Sequence, residues 1–212
     1  MLKLYDYWRS SAAYRVRIAL AVKGVEFDRG SINLKPGEDQ QKSESYRTIN
    51  PQQRVPAIEL DDRVSGQSMA IIEWIEETYE GPSLLPADAW ERMECRAFAD
   101  VVACDVHPLN NLSVLAMLRH DFDANDADVK RWYHHWIREG FTALETLAIA
   151  RPKTDFLFGD APSLAEIALV PQVYNARRFE MDLSSFPRLT ELDAACAALK
   201  PFQISAPEAV NP

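Results

Sequence analysis

Residues 2–24 read LKLYDYWRSSAAYRVRIALAVKG, and the hydrophobic pattern changes period at Ser10. Leu2, Leu4 and the run Tyr5 to Trp8 make a short β-prone segment. Ser10-Ser11 then precede an apolar stretch, Ala12 to Val22, closed by Lys23-Gly24. Serine before and glycine after punctuate a helix. A hydroxyl satisfies one of the first unpaired N–H groups, and glycine accepts the left-handed residue that ends the last turn.

Working outward, Val25 to Ile32 reads as a second strand, and residues 33–50 are polar and irregular or weakly helical. Val55 to Leu60 is a strand, Asp61-Asp62-Arg63 its turn, and Val64 begins the return strand of a hairpin. Gln67-Ser68 open an amphipathic helix, Met69 to Tyr79, with Ile71, Ile72 and Ile75 at helical spacing. The order β-α-β, loop, β-β-α predicts a thioredoxin-like domain. Pro56 stands at the entrance of a central strand, where it has no N–H to donate, so a cis Val55-Pro56 bond is expected.

Gly81 to Pro86 is a linker, and beyond Ala87 the pattern is helical almost throughout. Helices are expected from about Trp90 past Cys104, Asp126 to Ala150, Ser163 to Ala176 and Pro187 to Leu199. Pro108 should kink or end the first of them. Ser163-Leu164-Ala165-Glu166 has the form of a capping box, and Pro201 to Pro212 reads as an extended tail. The expected fold class is therefore α/β plus all-α: a thioredoxin-like domain over 1–81, a linker over 82–87 and an all-helical domain over 88–212.

The 212 residues are 47% hydrophobic, enough for real cores. Lys and Arg number 23 against 32 Asp and Glu, a net charge of −9. That balance excludes a broad basic face for nucleic acid but leaves room for a local pocket that takes a small anion. Cys95, Cys104 and Cys196 are odd in number and show no C-x-x-C spacing, so a disulfide scaffold, a zinc ribbon and a dithiol site are all unsupported. The opening MLKLYDYWRS lacks signal-peptide layout, and no apolar run approaches the ~18 residues of a membrane span. A reduced, cytoplasmic protein is expected. His134-His135 are adjacent on a helix and point apart, so no metal site is expected there. His120 reads as solvated, His107 as facing a cleft, and Trp132, Tyr133 and Trp136 as packing. Cys95 and Cys104 read as small buried groups on an inner helix.

In thioredoxin-like oxidoreductases the reactive thiols occupy the first turn of the first helix, where the helix end stabilises a thiolate. Here that turn reads Ser10-Ser11-Ala12-Ala13. Either a serine is only a cap, or the thiol arrives with a ligand and the hydroxyl and helix-end N–H groups hold its sulfur. Gln67-Ser68 pose the same choice for a ligand carboxylate, and the Val55 backbone beside Pro56 suits an extended peptide-like ligand. Glutathione, a γ-glutamyl tripeptide with a thiol, uses all three features.

WRSSAAYRVRIALAVKG, NPQQRVPAIEL, GQSMAIIEWIEE, LLPADAWER, NNLSVL and GDAPSLAEIALVPQVYNARRF resemble the zeta class of glutathione transferases, the class that includes maleylacetoacetate isomerase. The resemblance covers nearly the whole chain in order. It implies a glutathione domain, an all-α domain and a homodimer. It also implies that Ser10, with Ser11 beside it, holds the glutathione thiolate. By the same resemblance Arg15, Gln41, Val55, Gln67, Ser68, Asn111 and Ser113 are glutathione-contacting or site-lining positions. Arg9, His107 and Arg178 fall where related isomerases meet the acidic substrate. Arginine suits a dicarboxylate because its planar fork makes paired contacts. Arg15 and Arg17, two apart on a helix, cannot share a face, so at least one is structural.

The zeta signature usually reads S-S-C, and this chain has Ala12 in the cysteine position; His107 replaces a glutamine of some members. The implied reaction is cis–trans isomerisation of maleylacetoacetate in tyrosine and phenylalanine breakdown, by reversible thiolate addition. Maleylpyruvate isomerisation is the near alternative, against which Leu112-Ser113 stand where a shorter diacid calls for extra arginines. A general conjugating or dehalogenating transferase and a non-catalytic glutathione-transferase-like binding module are the others.

Overall fold

A computed structural model describes residues 1–211 of the chain. They form two units, one of residues 1–83 together with the segment from Ala198 onward, the other Leu84–Ala197.

The first unit is built on four short strands, β1 Lys3–Asp6, β2 Asp28–Ser31, β3 Ala57–Leu60 and β4 Arg63–Gly66, in the order β2-β1-β3-β4. β1 pairs parallel with β2 and antiparallel with β3, with Tyr5 opposite Gly30 on one side and Ala57 on the other. β3 and β4 close an antiparallel hairpin. The thioredoxin-like order read from the sequence is present, including the cis Val55–Pro56 bond. Between β1 and β2 runs α1, Ser11–Val22, whose residues Ser11 to Leu20 are all buried. Gly24, at φ +68°, supplies the left-handed residue after it. A 3₁₀ turn, Gln40–Lys42, and a short α2, Glu44–Ile49, occupy the polar segment; α3, Ser68–Thr78, follows β4.

Two arginines, Arg17 buried and Arg29 exposed, shape this unit. Arg17 is 1% exposed; its Nη1 donates to Asp6 Oδ1 at 2.7 Å, Nη2 to Trp8 O at 3.1 Å and Nε to Ser205 O at 3.0 Å. Arg29 donates to the other Asp6 oxygen at 3.1 Å and to Val210 O at 2.8 Å. Asp6 thus ties α1 to β2, and both arginines reach carbonyls of the last segment.

That segment corrects the expectation of an extended tail. It forms α9, Lys200–Ser205, and α10, Pro207–Val210, with Phe202 1% exposed. Pro201 and Pro207 stand in the first positions of these helices, where the missing N–H has no partner to lose, so they start helices instead of preventing them.

The second unit holds α4 Ala89–Asp100, α5 Leu112–Asp121, α6 Asp126–Ile149, α7 Leu164–Arg178 and α8 Pro187–Ala197. Leu84 and Leu85, within the segment expected as linker, are buried here, and Leu84 O accepts the Leu164 N–H at 2.7 Å. α4 runs into a π-helical turn, Val101–Val106, that ends before Pro108. α6 crosses this turn at Gly140, where a side chain would collide with Val106. The capping box of α7 is formed: Ser163 Oγ accepts the Ala165 N–H, and Glu166 Oε2 accepts the Ser163 N–H at 2.9 Å. Glu166 Oε1 also accepts the Leu157 N–H, although the residue is wholly buried. Burial pushes its pKa up, and these hydrogen bonds hold it back.

α5 lies where no separate helix was expected. Asn111 caps it, accepting the Ser113 N–H at 3.1 Å. Cys104 is a second correction. Cys95 is buried as expected, but Cys104 is exposed. Cys95 sits on the buried face of α4, whereas Cys104 lies beyond its end, in the π-helical turn.

Candidate active site

Ser10 enters α1 with φ −67° and ψ 116°, the extended backbone of an N-cap. Its Oγ accepts the Ala13 N–H at 3.2 Å. In that bond the hydroxyl acts only as an acceptor, so its proton remains available to an anion. Capping and ligand binding are therefore compatible roles for one side chain. Ser11 follows as the first helical residue and is buried. No acidic residue sits in this first turn, so nothing on the helix opposes an anion at its positive end.

Arg9 lies immediately before. Its Nη2 donates to the Tyr7 hydroxyl at 3.1 Å, and its guanidinium lies 4.7 Å from the centroid of the Trp8 ring. The buried Nε has no hydrogen-bond partner among the described residues. Tyr7 and Trp8 were read only as strand residues; the signal for their second task is their position directly before an arginine.

Arg15 and Ser68 connect α1 to α3. Arg15 is 1% exposed, and its Nη1 lies 3.4 Å from Ser68 Oγ. Both arginines of the Arg15/Arg17 pair are buried, but in different surroundings: Arg17 in the Asp6 network, Arg15 behind the start of α3. Gln67, expected as a capping residue, makes no side-chain cap bond. Its backbone sits at φ +68° and ψ 108°, and its Nε2 instead donates to Gln52 Oε1 at 2.9 Å. A non-glycine residue held there costs of the order of 1–3 kcal/mol, and such strain collects at ligand-binding positions. No local pattern marks Gln52, because its partner lies fifteen residues away.

Val55 is buried directly ahead of Pro56 and of the paired residues of β3. Gln41 sits in the 3₁₀ turn, its Nε2 donating to Asp39 Oδ1 at 3.1 Å while its buried Oε1 has no partner among the described residues.

The remaining sites stand in the helical unit. His107 follows the π-helical turn, its N–H bonded to Val102 O at 2.9 Å, and is half-buried. Asn111 and Ser113 bond to one another at the start of α5, the serine hydroxyl donating to Asn111 Oδ1 at 3.0 Å. At the end of α7 the two arginines part: Arg177 pairs with Asp193 at 2.6 Å, whereas Arg178 lies against the Phe179 ring at 4.7 Å. His134 is occupied with Phe179 O at 2.7 Å, His135 lies edge-on to Trp136, and His120 is exposed.

A family model for the glutathione S-transferase N-terminal domain matches residues 1–77. The maleylpyruvate isomerase of a Ralstonia species is 46% identical over 209 residues, with 98% of each chain covered. The holo structure of a bacterial maleylpyruvate isomerase, a zeta-class glutathione transferase, matches with a TM-score of 0.95 at 45% identity, covering 99% of this chain and 98% of that one. The chain belongs to the zeta class of glutathione transferases. A maleylacetoacetate isomerase from Anaeromyxobacter dehalogenans, 43% identical with a TM-score of 0.87 and covering 100% of this chain and 97% of that one, was solved with glutathione in its active site. The same isomerase has also been solved with dicarboxyethyl glutathione and citrate there. In this zeta-class transferase the first turn of α1 offers hydroxyls and N–H groups but no thiol, and Ala12 is buried within it.

Proposed function

We propose that this zeta-class transferase is a glutathione-dependent cis–trans isomerase acting on maleylacetoacetate. The observation that carries the reading is Ser10: a cap whose oxygen is engaged and whose proton is free, at the start of a helix whose first turn carries no acid. The polar groups of the first unit fit glutathione. Gln41 Oε1 is a buried acceptor and Arg9 Nε a buried donor, each without a protein partner among the described residues. Bound glutathione supplies a thiolate that adds reversibly to the double bond and so permits rotation about it.

The chain's own residues prepare that chemistry. Ser10 Oγ donates its proton toward the sulfur, and the first-turn N–H groups of α1, with Ser11, favour the anion over the thiol. Gln67 and Ser68 hold a carboxylate of the tripeptide at the start of α3, with Arg15 supporting Ser68 from behind. Val55 offers backbone groups to an extended peptide, and Gln41 anchors the far end. Arg9, His107 and Arg178 meet the diacid, with Asn111 and Ser113 lining the site. Neither Arg9 nor Arg178 has a carboxylate partner among the described residues, so each keeps its full charge for a substrate anion.

Ser10→Ala tests the reading. Removing one donor to a developing or bound anion costs about 10²–10³-fold in turnover, whereas loss of the cap costs about 1 kcal/mol of stability. Turnover with glutathione should therefore fall steeply while the fold persists, and the thiolate absorbance of bound glutathione near neutral pH should disappear. Full turnover in Ser10→Ala would falsify the assignment.

Maleylpyruvate is the second reading, favoured by the 46% identity to the Ralstonia enzyme. Ser113, which bonds Asn111 and brings no positive charge, favours the longer diacid. Steady-state turnover of both substrates decides between them. The reading also takes the enzyme as a cytoplasmic homodimer. Trp90 and Met93 on α4, 66% and 48% exposed, support a subunit contact. Cys95, Cys104 and Cys196 form no disulfide, which suits a reducing compartment.

A further inference from the structure

Arg9 stands directly before Ser10, and what restrains its side chain comes from the two residues just ahead of it. Its Nη2 donates to the Tyr7 hydroxyl at 3.1 Å. The guanidinium carbon lies 4.7 Å from the centroid of the Trp8 ring and 5.9 Å from that of Tyr7. The two rings are neighbours themselves, with centroids 6.0 Å apart and planes inclined by 54°. The backbone that carries these groups is fixed as well. The Ser10 N–H donates to Tyr7 O at 2.8 Å and closes a tight turn over residues 7–10. Trp8 O accepts from Arg17 Nη2 at 3.1 Å. Tyr7 is buried and belongs to a core cluster with Tyr5, Tyr46, Val55 and Ala57. The core thus holds the phenol, and the phenol holds Arg9.

The chemistry of this restraint matters more than its strength. Asp6 is the nearest carboxylate along the chain, yet both its oxygens are committed to Arg17 and Arg29. No ion pair joins Arg9 to a carboxylate among the described residues. Each terminal nitrogen of a guanidinium carries two hydrogens, and those on Nη2 lie on different edges of the planar fork. Tyr7 takes one of them, so whichever it takes, a two-donor edge stays complete for a carboxylate.

We infer that Tyr7 is a positioning residue for substrate binding: its hydroxyl, with the Trp8 ring, holds the Arg9 guanidinium in place without neutralising it. A carboxylate partner would orient Arg9 equally well but would compete with the substrate anion. A phenol and an aromatic ring orient it and leave the charge intact. A cation already held in one geometry loses less freedom when the diacid arrives. The inference rests on the reading that Arg9 meets the diacid.

Tyr7→Phe is the test, because it removes the acceptor and keeps the ring. The KM for maleylacetoacetate should rise about 3- to 10-fold, the range of one ordinary hydrogen bond. The kcat should stay within about twofold and the KM for glutathione should not move, a split that general loosening of the fold would not produce. In an Arg9→Ala background the same change should add nothing further to the diacid KM. An effect of equal size in both backgrounds, an unchanged diacid KM in Tyr7→Phe, or equal rises in both KM values overturns the positioning role. If Arg9→Ala alone leaves the diacid KM unchanged, the substrate role of Arg9 fails and the inference with it, while the isomerase reading stands. A parent protein that turns over no cis diacid with glutathione sinks both. Should Tyr7→Phe fold poorly, Trp8→Leu withdraws the ring at 4.7 Å and leaves the phenol. There too a raised diacid KM with unchanged glutathione KM supports the role, and an unchanged diacid KM overturns it.

Discussion

At the scale of single residues, Asp6 carries more structure than its place in a strand suggests. Its two oxygens divide between Arg17 and Arg29, and it is 0% exposed. A buried ion pair adds little net stability when complete but costs about 3–5 kcal/mol when one partner is removed, because the other charge stays behind. Asp6→Ala should therefore lose about that much in urea unfolding, far more than Arg29→Ala, whose side chain is 31% exposed. Little of this was legible in sequence. The Arg15/Arg17 spacing showed that they must face apart, and the structure bears this out, but their partners Asp6, Ser68 and Ser205 come from segments up to 188 residues away. Ser10 was legible as a cap; that its proton remains free follows only from the direction of the Ala13 bond.

Among the elements, α7 was the easiest to read and α5 the hardest. Ser163 and Glu166 announce the start of α7 by spacing alone, and both members of the box bond as expected. α5 begins at Asn111, a cap without a partner acid three residues on, and its apolar positions are broken by Ser113, Arg119 and His120. The π-helical turn has no sequence signature at all, only the glycine opposite it on α6. Glu166 also makes a pH prediction. Burial raises its pKa in the folded state above its unfolded value. Its favourable contribution is thus complete below the unfolded pKa, about 4.3, and is lost as pH rises through the folded value. Glu166→Gln does not titrate, so the stability gap between it and the parent enzyme should be widest near pH 4 and shrink toward neutrality. Denaturant unfolding across that range checks the sign; a gap widening with pH would mean that the hydrogen bonds from Leu157 and Ser163 outweigh burial.

For the whole molecule, a net charge of −9 coexists with a proposed site for two anions. Within the first unit the opposition is eased locally, since the first turn of α1 carries no acid. The chain's last segment matters at this scale too. Truncation after Leu199 removes buried Phe202 and the carbonyls of Ser205 and Val210, leaving the Arg17 guanidinium short of a partner. Loss of a buried phenylalanine alone costs about 3–5 kcal/mol. The truncated protein should show a markedly lower thermal midpoint, whereas Asn211→Ala, at an exposed position, should leave it nearly unchanged. Three prolines between Pro201 and Pro212 hid this from pattern reading, because proline marks a helix start as readily as a stop.

The return of the chain's end to its beginning bears on how the protein is made. A ribosome releases residues 1–83 first, but the strap that completes their unit emerges about 120 residues later, a delay of roughly 6–24 s at typical synthesis speeds. During that interval the nascent sheet and α1 must wait with Arg17 lacking the Ser205 carbonyl. The unit begun by residues 1–83 is therefore among the last to finish folding.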